Sequence, residues 1–484
     1  MLNIENVVER AVNRINRKAQ SLMHRSADKH LRLAVTGLSG AGKTAFITGL
    51  VNQLLESGNQ GDYTHLPLWH VAREGRLLGV KRVLQPDLTI ASFNYQEAMA
   101  MLTAEKAQWP HSTSNISELR LAIRYQPEKG VLAKLTDTAT LYLDIIDYPG
   151  EWLLDLPLLK LSFKAWCLSQ QLRQKQFTQS SLYTPFQQAF SQLNLMGKAD
   201  ESQLKAIAVH YQALLVDSVS QLGFYHAQPG RMLLPGELVD APILAFFPLI
   251  NMEGVTFEQL ESSASDSNYQ VLKTRYQEYV KQVVKPFYQD HFSRFDRQVL
   301  LVDCLTPLNK GKAQFEDMRQ ALDDIMQSFS FGQSHFLRRL FAPRIDKLLF
   351  AASKVDHVTR SQQSHVLSLL SELIKSSHQG AKFEGCDVET MAISAIKATH
   401  HKMVKQAQEQ IEVLQGEDLL TRESITVFPG EVPHTLPQSH FWQQQGFEFV
   451  NFAPPKRELP LKGADFEHIR MDHLLQYLIG DKLI

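Results

Sequence analysis

The sequence predicts an α/β fold: a mainly parallel sheet flanked by helices, with a helical insertion. Three observations predict it. A strand-like run ends in a glycine-rich turn and opens into a helical run. Apolar strand segments alternate with helical ones through the second half of the chain. Between the two halves lies a long stretch rich in Leu, Gln, Ser and Ala with helical spacing.

The first of these carries the most chemistry. Leu31-Arg32-Leu33-Ala34-Val35-Thr36 alternates apolar residues and reads as a strand. Gly37-Leu38-Ser39-Gly40-Ala41-Gly42-Lys43-Thr44 fits G-x-x-x-x-G-K-[ST], the phosphate-binding loop. Residues 44–55 then have helical apolar spacing. Gly37, Gly40 and Gly42 allow backbone conformations that a β-carbon blocks, so successive N–H groups can converge on oxygens. The N-terminus of the next helix adds partial positive charge. Ser39, Gly40, Ala41, Gly42, Lys43, Thr44 and Ala45 are therefore the expected phosphate cradle, with Lys43 on the β- and γ-phosphates and the Thr44 hydroxyl on Mg²⁺.

The remaining elements follow in order. Residues 4–27 place Ile4, Val7, Val8, Ala11 and Ile15 on one helical face, which reads as a leading helix packed on the core, with a membrane-surface or partner helix as the alternative. From the first loop's helix to about residue 117 the chain reads as irregular. Glu118–Tyr125 and Ala139–Asp147 read as strands, residues 152–225 as helices, and Ala241–Phe247 as a short apolar segment. Residues 266–285 return to helix. Gln298–Asp303 and Lys347–Ala352 are buried-type strands, separated by a helix over 312–329. A helix over 360–376 and a short strand Thr390–Ile393 come next. The tail reads as loops and a last helix holding Phe466, Ile469, Leu474, Leu475 and Leu478.

Composition sets bounds on the partners. With 50 Lys and Arg against 51 Asp and Glu, the 484 residues carry a net charge of −1, so no global field favours nucleic acid or an anionic membrane. Cys167, Cys304 and Cys386 lack C-x-x-C spacing and read as free thiols of a reducing compartment. No apolar run approaches the ~20 residues of a membrane span, and the first residues lack a signal peptide's pattern. The histidines, His400 and His401 included, show no metal-ligand spacing. A cytoplasmic protein is expected.

Motifs placed just after strand ends choose the nucleotide. Asp147-Tyr148-Pro149-Gly150 offers a carboxylate for Mg²⁺ and, at Gly150, a backbone N–H for a γ-phosphate. Asp144 is a competing carboxylate on the same strand. Ser353-Lys354-Val355-Asp356 resembles N-K-x-D, with Ser353 where that pattern has Asn. There Asp356 would accept two hydrogen bonds from guanine and the Lys354 stem would cover the base. Ser394-Ala395-Ile396-Lys397 follows the next strand and resembles the S-A-K element, whose backbone meets the guanine oxygen. Thr113 is the choice for the threonine that senses γ-phosphate and Mg²⁺, with Ser114 and Ser117 as alternatives. Glu151 follows Gly150, where a water-orienting residue is expected, and is the catalytic candidate beside Lys43. Arg73, Arg76 and Arg231 lie in loops and read as surface ion pairs.

These motifs in this order resemble the Ras-like GTPases of the P-loop NTPase fold. More narrowly, the chain resembles the YcjX family of bacterial P-loop proteins over nearly its whole length. Besides the motifs above, Trp109-Pro110-His111-Ser112-Thr113, Asp147 to Trp152, Asp296 to Cys304 and the closing Gly480-Asp481-Lys482-Leu483 carry the likeness. The resemblance implies a cytoplasmic, stress-associated protein that binds GTP or GDP with Mg²⁺ and hydrolyses GTP, with a helical region beside its G domain. Residues 1–151 would hold the leading helix and first part of that domain, 152–290 the helical insertion, and 291–484 the base-recognition part. The insertion begins directly after Gly150-Glu151, so a protein partner is expected there. Two rivals remain: an ATP-dependent P-loop enzyme such as a kinase, and a scaffold that nucleotide stabilises without turnover.

Overall fold

A computed structural model describes residues 29–57, 65–128, 136–252, 254–329, 345–375, 386–406, 409–443, 448–456 and 466–484. The leading helix expected over 4–27 lies outside them. The centre is an eight-stranded sheet built from β1 (Lys29–Gly37), β2 (Leu77–Val83), β3 (Ala91–Ser92), β4 (Ser117–Tyr125), β5 (Ala139–Asp147), β6 (Arg297–Val302), β7 (Lys347–Ala352) and β8 (Asp387–Ala392). Its order is β2-β4-β5-β1-β6-β7-β8, with β3 beside β4. Pairing is parallel from β5 to β8; β4 runs antiparallel to β5, and β2 to β4.

Strand periodicity divides the core. Leu31, Leu33 and Val35 of β1, with Val299 and Leu301 of β6 and Leu349 and Ala351 of β7, face one layer. Ala34, Leu300, Val302, Leu348, Phe350 and Ala352 face the other. Burial on both faces is why the inner strands read as continuous apolar runs. The first layer is closed by α1 (Lys43–Ser57) and the last long helix, Met471–Ile479. From α1 come Phe46, Ile47, Leu50, Val51 and Leu54, all buried. At about 1.5–3 kcal/mol each, their burial outweighs any helix propensity of a segment that contains Thr48 and Gly49. The second layer is closed by helices Lys312–Phe329 and Gln363–Leu373.

Between β5 and β6 the chain leaves the sheet through a 3-10 segment, Gly150–Lys160, and builds a set of helices that includes Phe163–Leu172, Tyr183–Ser191, Glu201–Ser220 and Asn268–Tyr279. These have their own aromatic core, in which Trp166 stacks on Tyr276 at 5.3 Å and Phe186 meets Tyr211 at 5.4 Å. A polar network joins them to the 3-10 segment. The buried Asp155 accepts from Gly230 N (2.8 Å), Arg231 N (3.3 Å) and the Tyr279 hydroxyl (2.5 Å), while Gln228 donates to Leu154 O.

The sheet is fastened from far along the chain. Lys29 Nζ and Tyr125 Oη both donate to Lys482 O, at 2.8 and 3.0 Å, and Arg76 donates to Leu483 O. The fully buried Arg297 pairs with Asp346 at 3.0 Å and with Asp481 at 2.5 Å.

Two stretches differ from the sequence expectation. The region before residue 117 is not irregular: it holds β2, β3 and the helix Tyr95–Thr103, which Asn94 caps by accepting from Glu97 N. The tail is more than loops and a helix. It contains a three-stranded antiparallel sheet, β9 (His400–Gln406), β10 (Glu409–Glu417) and β11 (Ser424–Val427), in the order β11-β10-β9. Phe466 and Ile469 precede the last helix; Ile469 instead exchanges backbone hydrogen bonds with Ser394. Ala241–Phe247 holds only a 3-10 turn, Pro242–Leu244.

Candidate functional site

The carboxyl ends of β1, β7 and β8 converge on one cavity of ≈ 250 Å³, with that of β5 beside it. In an open α/β sheet this is the expected edge for a ligand. From the phosphate loop, Gly40, Ala41, Gly42, Lys43, Thr44 and Ala45 line it; Ser39 does not. Gly40 and Gly42 have φ of +77° and +79°, which only glycine adopts without strain. Lys43 Nζ donates to Gly37 O at 3.1 Å, closing the loop on itself. Helix α1 has no acidic residue in its first turn, so its N-terminal positive charge is unopposed there.

A corner of oxygen ligands stands beside the loop. Thr44 Oγ1 donates to His111 O at 2.9 Å and lies 3.3 Å from Thr113 Oγ1. Thr113 in turn donates to Asp147 Oδ2. The other oxygen, Asp147 Oδ1, is buried without a hydrogen-bond partner among the described residues. Burial pushes the Asp147 carboxyl up to about 6; Lys43 and the Thr113 hydroxyl hold it down, and Glu151 adds to the rise. Two hydroxyls and an under-satisfied carboxylate make a hard-cation donor set, so the residues fit a Mg²⁺ ion. Asp144 is committed elsewhere, in a two-pronged pair with Arg120 at 2.5 and 2.7 Å.

The far end of the cavity is lined by Ser353, Lys354, Asp356, Ser394, Ala395 and Ile396. Asp356 is 1% exposed. Its Oδ2 accepts from Ala398 N at 2.8 Å, while Oδ1 has no partner among the described residues. Lys354 is left-handed (φ +59°), and its Nζ donates at 2.7 Å to Asp303 Oδ2, at the end of β6. Burial would raise the Asp303 carboxyl, but Lys354 and Thr306 bring it below its ordinary value. Asp303 therefore fixes Lys354, a role sequence reading missed although the residue follows an apolar strand. Ser353 Oγ has no hydrogen-bond partner among the described residues, so it makes no tie to the phosphate loop. The 394–396 turn is held by Ser394 Oγ donating to Ile396 O at 3.0 Å. It packs against α1 at Gly49, where a β-carbon would come within 2.9 Å of Ala395 O.

Gly150 and Glu151 stand apart from the cavity lining. Glu151 is 9% exposed, and its Oε2 has no partner among the described residues. The backbone at Gly150 presses on Gly37 O, and Gly230 presses in the same way on Glu151 O; a β-carbon at either glycine would overlap those oxygens. Arg231 is not a surface residue, contrary to expectation. It is buried, with its guanidinium 3.3 Å from the Trp152 ring centroid and 3.3 Å from Glu237. Arg73 and Arg76 both pair with Glu74, at 3.7 and 2.9 Å, Arg73 at the surface and Arg76 half-buried.

Sequence reading also left out Trp109, Leu419, Asn451 and Phe452, which line the cavity beside Asp356. Trp109 was visible as part of a Trp-Pro motif; Leu419, in the turn after β10, and Asn451 and Phe452, in a later segment bridged to it, gave no local signal.

A family model described as the YcjX-like family, DUF463, matches residues 31–483. A protein of Shewanella oneidensis named Ras-like GTPase YcjX is 61% identical over 479 residues, covering 98% of this chain and 99% of the relative. One of Escherichia coli strain K12, with the same name, is 44% identical over 473 residues, covering 98% and 100%. No helix among the described residues is long and apolar enough to cross a membrane.

Proposed function

The chain belongs to the YcjX-like family, and on that premise we propose that it is a Ras-like, Mg²⁺-dependent GTPase switch that binds GTP and hydrolyses it to GDP and phosphate. One observation carries the reading. A single cavity has a phosphate loop at one end and, at the other, a buried carboxylate with one oxygen left to accept. That spare acceptor suits the N1–H and amino donors on guanine's Watson–Crick edge. Adenine presents an acceptor at N1, which would leave the charge unpaired.

The geometry supports the following division of labour. Gly40 to Ala45 would hold the phosphates, with Lys43 turning from Gly37 O to the β- and γ-oxygens. Thr44, Thr113 and Asp147 would hold Mg²⁺, which supplies charge neutralisation to the phosphates. Ser394, Ala395 and Ile396 would meet the base with their backbone, beside Lys354 and Asp356. Thr113 and Gly150 sense the γ-phosphate; on its release both loops relax. The polar network at Asp155 would carry that change into the helical insertion, the surface assigned to a protein partner. The setting, as the family resemblance implies, is bacterial stress response in the cytoplasm.

The test is competition of GTP and ATP for the site in wild type and Asp356→Asn, with single-turnover hydrolysis by wild type and Lys43→Ala. Equal affinity for ATP and GTP would sink the guanine reading. A second reading, a nucleotide-stabilised scaffold with negligible turnover, is favoured by Glu151, whose carboxylate lies away from the cavity. It predicts that GTP binds but is not consumed.

A further inference from the structure

We propose that the base end of the cavity has a wall supplied from outside the main sheet, by the turn after β10 and the Asn451–Phe452 segment bridged to it, and that one hydrogen bond from Trp109 to this wall sets how long a nucleotide stays. The proposal rests on the guanine-nucleotide reading and adds binding residues to it: Leu419, Asn451, Phe452 and Trp109.

The wall is built, not incidental. Phe452 pairs with Asp418 as an antiparallel bridge, Leu419 N donates to Asn451 O at 2.9 Å, and Ala453 N donates to Glu417 O at 2.8 Å. Gly416 lets the ring lie close, because a β-carbon there would stand 2.6 Å from the Phe452 ring and displace it. The same ring meets the buried His357 edge-on at 5.2 Å, next to Asp356.

Trp109 locks this wall to the other side of the cavity. Its indole N–H donates to Phe452 O at 2.8 Å, across 343 residues of sequence. Its ring packs with two separate apolar clusters, one holding Ile396 and the other Phe452. Trp109 lies four positions before Thr113, so one short strap reaches both the base end and the cation corner. A compartment that sets Trp109, Ile396, Leu419 and Phe452 beside the Asp356 carboxylate suits a purine base and not a further phosphate. A base seated there leaves only when strap and wall part.

The experiment is release of a fluorescent GDP analogue, with Mg²⁺, from wild type, Trp109→Phe and Asn451→Ala, alongside pyrophosphate binding by calorimetry. Trp109→Phe keeps an aromatic ring and removes the N–H. It is expected to release GDP about tenfold faster, the scale of one net hydrogen bond, with association unchanged. Asn451→Ala removes an exposed side chain that faces the cavity and is expected to speed release about threefold. Pyrophosphate, which reaches only the phosphate loop, should bind all three alike. Wild-type release rates in both variants overturn the proposal. So does a parallel loss of pyrophosphate affinity, which would mark general disordering. If wild type holds ADP and not GDP, the guanine reading fails, and the wall is judged by the same variants on ADP.

Discussion

Gly150 lies against Gly37 so closely that a β-carbon at position 150 would overlap the Gly37 carbonyl oxygen. The last residue of β1 and the loop after β5 thus touch backbone to backbone, with no side chain free to yield. Gly150→Ala must shift one of the two loops. We expect a stability loss of about 2 kcal/mol or more, the scale of overpacking, read by denaturant unfolding. The variant should keep GDP affinity and lose its preference for a GTP analogue, since the N–H meant for the γ-phosphate is displaced.

Asp356→Asn exchanges the unpartnered acceptor at the cavity for a donor. The remaining carbonyl would keep the bond from Ala398 N, which turns the amide NH₂ toward the base. GTP affinity should fall about a hundredfold. Xanthosine triphosphate, which has a carbonyl where guanine has its amine, should bind better than GTP. Titration of both nucleotides with the variant checks this.

Thr113→Ala removes one hydroxyl of the Thr44–Thr113–Asp147 corner. The expected effect is selective. Affinity for a magnesium–GTP analogue should fall about tenfold, one lost polar contact, while magnesium–GDP affinity stays within twofold. Equal losses for both nucleotides would show that Thr113 does not sense the γ-phosphate.

Asp303→Ala should release Lys354 and also remove the bonds that Asp303 accepts from Leu305 N and Thr306 N at 3.0 Å. A cost of about 2 kcal/mol is expected, from a lost cap and a lost charge-assisted bond. Weaker base binding should accompany it. Chemical denaturation and GDP titration on one preparation separate the two effects.

The pH dependence has a definite sign at Asp481. Burial alone would raise its carboxyl, but hydrogen bonds and charge from Arg297, with Lys347 and Lys482, bring it below the ordinary carboxylate value. A depressed folded-state value contributes stability above the unfolded value, near 4, and loses it as pH falls through the folded one. The Asp481 side chain is 38% exposed, so water screens the pair and the contribution is about 1 kcal/mol. Asp481→Asn should lower stability at pH 7 by that amount and flatten the acid limb below pH 4, as followed by urea midpoints.

What could be read in advance was local. Gly37 to Thr44 declares itself through spacing, and β6 and β7 through unbroken apolar runs that burial on two faces demands. The strand Leu77–Val83 escaped because it is an edge with most side chains partly or fully exposed, and the sheet β9–β11 because His400 to Gln406 contains little apolar signal. The lock on Lys354 depends on Asp303, 51 positions away, and the Trp109 bond spans 343. Neither separation leaves a pattern along the chain. The buried placement of Arg231 likewise depends on Trp152, a partner that only the fold supplies.

The fastening of Lys29 to Lys482, 453 positions apart, has a consequence for how quickly this protein can form. β1 is the middle strand, and β5 pairs with its first residue, yet the side chain of that residue finds its partner only when the far segment arrives. Closing so long a loop is entropically slow, and contacts of this range lower folding rates. Refolding should therefore proceed through a collapsed species that already buries apolar surface but cannot retain nucleotide, with binding competence recovered last.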